Sequence, residues 1–165
     1  MGRRKLKYRE GDVFRVPVDG ERPAVGVVAR ADGTGGLLAY FFAIEDLTAI
    51  DKLRPEGATL VARVGDLALM GSGSQRVGLG EVRWPVVGHL ADFTRAGWPV
   101  PKLLRRIMNV LVSRDDDLNE IGTEQAGPGD GERYFSDAMN GWLAAENYFA
   151  KLLRDRQVAA ASSAA

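Results

Sequence analysis

The stretch 11–43, GDVFRVPVDGERPAVGVVARADGTGGLLAYFFA, decides the fold. Its apolar and β-branched residues gather into three short runs, and turn-forming residues fill the gaps. Gly11-Asp12 introduces Val13, Phe14, Val16 and Val18, interrupted only by Pro17. Proline cannot donate to a ladder, so it points to an edge or a bulge there. Asp19-Gly20 is a hairpin signal, and residues 24–30 are the returning strand. Asp32-Gly33-Thr34-Gly35-Gly36 is a second turn, after which residues 37–43 are almost wholly apolar and suit a sheet centre. Three strands joined by tight turns make a meander.

Working outward, Ile44, Leu47, Ile50 and Leu53 recur every three residues and predict one or two helical turns, ended by Pro55 and Gly57. Residues 59–64 read as a strand. Gly71-Ser72-Gly73-Ser74 reads as a loop, and residues 82–90, with Trp84-Pro85 near the start and Gly88 inside, as another strand. Residues 102–114 admit two readings. Leu103, Leu104, Ile107, Met108, Leu111 and Val112 would stripe one helix face, yet Val110-Leu111-Val112 is strand-like and Met108-Asn109 suits a turn. Periodicity favours the helix.

The last element is a predicted helix from Ser136, a good N-cap, to about Arg156. On it Met139, Trp142, Leu143, Phe149, Leu152 and Leu153 share one face, with Asn140, Asn147, Lys151 and Arg154 opposite. Gly141 costs such a helix about 1 kcal/mol relative to alanine. Many strands followed by one helix predict an α+β fold. The form expected is a twisted, mainly antiparallel sheet, or a partly open SH3-like barrel, with one long C-terminal helix packed on it. Residues 1–158 read as a single domain and residues 159–165 as a disordered tail.

Composition narrows the chemistry. The chain has 165 residues, enough for one domain that buries roughly 70% of its unfolded surface. It has no cysteine, so disulfides, thiolate metal sites and a cysteine nucleophile are excluded, and a reducing compartment fits. His89 is the one histidine, and any imidazole-based catalysis would have to use it. Its apolar strand setting predicts a half-buried structural role. Lysine plus arginine equals aspartate plus glutamate at 22 each, which argues against a phosphate-gripping protein. The basic start carries no apolar signal core, and no apolar run nears the roughly 18 residues needed to span a bilayer, so a soluble cytoplasmic protein is expected.

The search for reactive constellations returns little. Neither glycine-rich segment has the ending of a phosphate loop, and Ser72 and Ser74 have no base at hand. Asp115-Asp116-Asp117 with Glu120 lacks the spacing of a calcium loop and reads as a solvated acidic patch, so neither metal nor cofactor is expected. The tryptophans 84, 98 and 142, with Tyr148 and Phe149, read as core. Glu146 is the anomaly: it falls mid-way on the apolar helix face, where a carboxylate needs a partner. An arginine, a backbone amide or a tryptophan N–H should hold it.

Together, these segments resemble the immunity protein 26 family of bacterial polymorphic-toxin systems. The opening pattern is matched by Gly11-Asp12-Val13-Phe14-Arg15-Val16-Pro17 and then Val25-Gly26-Val27-Val28. Two tryptophan–proline motifs follow, matched by Trp84-Pro85-Val86-Val87-Gly88 and Trp98-Pro99-Val100-Pro101. A strand running into acidic residues is matched by Val110-Leu111-Val112-Ser113-Arg114-Asp115-Asp116, and the closing glycine and glutamate by Gly141 and Glu146. The loop 71–79 is longer than the family pattern. The resemblance implies two short strands, not a helix, over 102–114. It also implies a non-catalytic cytoplasmic protein that binds and neutralises a cognate toxin.

If that toxin is a nuclease, its phosphate-binding face is basic, and an acidic patch would complement it. The partner-binding candidates are therefore Asp115, Asp116, Asp117, Glu120 and Glu124, with Glu146 at a helix–sheet groove. Two rival readings remain: a small SH3-like-barrel toxin that cleaves nucleic acid, and a generic adaptor that takes a peptide.

Overall fold

The computed structural model describes residues 5–20, 22–71 and 82–164. It is an α+β fold built on an open six-stranded sheet. The strands are β1 (Asp12–Val16), β2 (Ala24–Ala31), β3 (Gly36–Ala43), β4 (Leu60–Gly65), β5 (Val86–His89) and β9 (Met139–Asn140). Their order is β5-β1-β2-β3-β4-β9, antiparallel throughout except for the β4–β9 pair. The meander expected from residues 11–43 is its centre, and the open sheet is the form the fold takes. Two 3-10 turns, Leu47–Lys52 and Pro55–Gly57, connect β3 to β4. A one-turn helix, α1 (Leu67–Met70), follows β4 and ends on Gly71 in the left-handed conformation.

A second, three-stranded antiparallel sheet is formed by β6 (Leu103–Arg105), β7 (Val110–Arg114) and β8 (Glu120–Gln125), and a one-turn helix, α2 (Asp130–Arg133), follows it. The pair of short strands within 102–114 is thus correct, and the helix favoured by periodicity is not. Asn109 explains why: it sits at φ 52 and turns the chain, a conformation asparagine tolerates better than most residues.

The central sheet is apolar on both faces, which is why β2 and β3 read as continuous hydrophobic runs. Phe14, Val28, Leu37, Ala39, Phe41, Leu60 and Ala62 pack with Ala145 and Phe149 of the long helix α3 (Trp142–Ala164). Val13, Val25, Val27, Leu38, Tyr40 and Phe42 pack on the other side with Trp98, Leu103 and Leu118. The layers run helix, large sheet, small sheet. Gly26 belongs to this packing: an added Cβ would lie 2.2 Å from Cζ of Phe14. Its missing side chain lets the Phe14 ring lie flat against β2 and stack on Trp84, centroids 5.1 Å apart.

Several sequence expectations need correction. The long helix begins at Trp142, not Ser136, and continues through the alanine-rich segment to Ala164. Ser136 instead bridges to Leu104, and Met139 and Asn140 pair with Arg63 and Val64. Ladder bonds to two sheets outcompete the helix there. Gly141 therefore lies outside the helix, and its carbonyl accepts the Ala145 amide at 3.0 Å. Met139 and Tyr148 are exposed and are not core. The strand expected over 82–90 is paired only at Val86–His89. Strand β8, exposed at every residue and apolar only at Ile121, gave no apolar pattern to read.

Candidate functional site

Glu146 is buried beneath the helix α3, as its position on the apolar face requires. Arg83 grips it with two bonds, Nε to Oε1 at 3.0 Å and Nη2 to Oε2 at 3.1 Å. The indole N–H of Trp84, itself fully buried, donates to Oε1 at 2.8 Å. Both side-chain partners expected for this carboxylate are present. Hydrogen bonding to Glu146 raises the Arg83 guanidinium above its ordinary value. Arg83 also lies over the Trp142 ring, 5.7 Å from its centroid. This arrangement joins the β5 approach to the helix and leaves Glu146 no free face for a partner.

The acidic run faces solvent, as expected, but most of its carboxylates are already paired within the fold. Asp116 accepts Nε and Nη2 of Arg30 at 3.0 and 2.6 Å. Arg30 is only 1% exposed, and its other bonds run to the carbonyls of Ala29, Trp98 and Arg95. Hydrogen bonds from Arg30 hold the Asp116 carboxyl below the usual range. Asp115 accepts the amides of Asp117 and Asn119 and closes its own turn. Glu120 pairs with Arg105, and Glu124 with Lys102 at 2.6 Å. Of the five, only Asp117 has a carboxylate with no hydrogen bond or ion pair among the described residues.

Asp137 is a buried hub. It takes bonds from Arg114 and Arg105, and Arg63 lies 3.6 Å away. Burial pushes its carboxyl up, but the bonds from Arg114 and Arg105 outweigh that and hold it below the ordinary value. It fastens the small sheet to β4. His89 is half-exposed on the edge strand β5, with Nδ1 2.9 Å from Asp12. Apart from Gly71, the glycine-rich loop 71–74 lies outside the described residues. Among the described residues, no three metal-binding side chains gather, and no helix is long and apolar enough to cross a membrane.

The open chemistry lies elsewhere, at the turn between β6 and β7. Ile107 is 97% exposed and Met108 61%, so almost nothing in the described chain covers them. The turn is held firmly all the same. The Asn109 amide donates to the Arg106 carbonyl at 3.2 Å, and the Asn109 carbonyl accepts Ala126 N and Gln125 Nε2. Beside the turn lies a shallow cleft of about 340 Å³. Its floor is Leu60, Val61 and Ala62 on β4, and Arg106, Ser136, Asn140 and Tyr148 stand around it. No carboxylate lines it. Arg106 makes one 3.3 Å bond to the Gly131 carbonyl and no ion pair among the described residues. The sequence did not reveal this site, because Ile107 and Met108 fit an apolar helix stripe.

Compared with known protein families, curated proteins and solved structures, the chain finds no match in any of the three.

Proposed function

We propose that this protein is a non-catalytic, cytoplasmic immunity protein that binds a cognate toxin and neutralises it. The observation that carries the binding role is the rigid turn presenting Ile107 and Met108 to solvent. Exposing two large apolar side chains at the apex of a well-bonded turn costs solubility, and a partner that covers them offsets that cost. The immunity role rests on the ordered motifs of residues 11–17, 84–88, 98–101 and 110–116 and on their resemblance to immunity protein 26. The internal pairing of Glu146 supports reading it as a structural residue.

Co-expression tests the proposal. Toxin-domain reading frames neighbouring the gene are each induced in a bacterial host, with and without the present chain. Restored growth and a co-purifying complex are expected. Toxicity undiminished by the chain, with no complex formed, overturns the proposal. Cleavage of RNA by the purified chain alone would instead favour the toxin reading.

A further inference from the structure

We propose that the turn 106–109 and the adjoining cleft form one docking surface, and that its occupant is an acidic, apolar-containing peptide segment of the partner protein. The inference rests on the binding role proposed above and specifies its chemistry. Three features sit in sequence along this surface. The cleft is floored by β4 at Leu60, Val61 and Ala62, beyond the two residues that β9 pairs, and takes an extended segment with an apolar side chain. Arg106 at its rim is a cation with no ion pair among the described residues, so it takes a carboxylate. Ile107 and Met108, next along the chain, offer an uncovered apolar apex for a second apolar side chain.

Charge complementarity selects the sign of the partner. The acidic side chains Asp116, Glu120 and Glu124 are already bonded to Arg30, Arg105 and Lys102. A partner approaching them meets largely neutralised pairs. Arg106 is the charge left open beside exposed apolar surface, and it calls for an acidic counterpart. The hydroxyl of Ser136 and the side-chain carbonyl of Asn140 on the cleft wall can bond the backbone of an extended segment. A second copy of this chain fits less well. Among its own exposed acidic–apolar steps, Glu120-Ile121 has its carboxylate committed to Arg105, and Asp46-Leu47 has its carboxylate capping Thr48.

The experiment pans a display library of short random peptides against the full chain and measures selected peptides by fluorescence anisotropy. Enriched peptides should place Asp or Glu beside a large apolar residue. Arg106→Glu and Ile107→Asp should each weaken them by about tenfold or more, with thermal midpoints unchanged, whereas Asp117→Asn should not. Enrichment of Lys/Arg-rich peptides, binding indifferent to Arg106→Glu, or no enrichment overturns the proposal. So does self-association of the chain, seen by light scattering, that Ile107→Asp abolishes. Protection from the toxin that survives Arg106→Glu and Ile107→Asp overturns this surface alone. Selected peptides that follow the pattern, in a chain that gives no protection, retain the surface and remove the immunity reading.

Discussion

The indole N–H of Trp84 and the carboxylate of Glu146 are 2.8 Å apart, and both residues are buried. The tryptophan also stacks on Phe14 and meets Phe41 edge-on, so this one bond ties the helix α3 to the aromatic centre of the core. Removing the carboxylate leaves a buried donor unpaired, while the half-exposed Arg83 can turn to water. Glu146→Ala is expected to cost about 2–3 kcal/mol. Glu146→Gln, which still accepts from the indole, should cost less. Urea denaturation of the two variants beside the wild type checks the order.

Arg30 and Asp116 give a second contrast. Asp116→Asn removes the counter-charge of a buried guanidinium, whereas Asp117→Asn removes a charge that holds nothing. The first should lower the thermal midpoint and the second leave it within error. Equal midpoints for both variants would mean that Arg30 does not depend on this carboxylate.

Acid sensitivity should centre on Asp137. Its folded-state value lies below the ordinary carboxylate value, so the protonated form is the one that folding disfavours. The stability it contributes is present above the unfolded carboxylate range, and it fades as pH falls from about 4 through the lower folded value. Asp32, Asp116 and Glu120 shift in the same direction and add to the slope. Asp137→Asn should cost about 3 kcal/mol at neutral pH, because it takes the ion-pair partner from Arg114 and Arg63, while Arg105 keeps Glu120. It should also flatten the acid limb of a stability–pH curve measured by denaturant titration.

Gly26→Ala should destabilise although alanine is small. The added methyl would lie 2.2 Å from Cζ of Phe14, and relieving that clash must disturb the Phe14–Trp84 stack. A loss of about 1–3 kcal/mol is expected from such overpacking. Near-ultraviolet circular dichroism should report the moved aromatics.

The parts of the fold legible in the sequence were those whose residues bury their own side chains. Residues 11–43 announced the meander through alternating turns and apolar runs, and Glu146 announced its own partnership by standing on an apolar face. The helix start was misplaced because Ser136 offers a plausible cap, while its backbone partner Leu104 is remote in sequence. Strand β8 was invisible because it is a polar edge held by β7. The turn at Ile107 and Met108 was hidden by a coincidence of spacing, since all six residues in that apolar stripe belong to two strands or their turn for reasons unrelated to helical period. The pairing of the acidic run was not legible because a sequence does not show which arginine, 86 residues away in the case of Arg30 and Asp116, will claim a carboxylate.

A sheet that is greasy on both sides has a consequence during synthesis. Strands β1 to β4 leave the ribosome first, but the chain that covers one face, around Leu103 and Leu118, comes later, and Phe149 for the other comes later still. At translation rates of about 5–20 residues per second, the nascent meander spends seconds with two bare hydrophobic surfaces. A ribosome stalled after β4 would present a flat, sticky ribbon, and such fragments should be claimed by chaperones or by one another before they can fold.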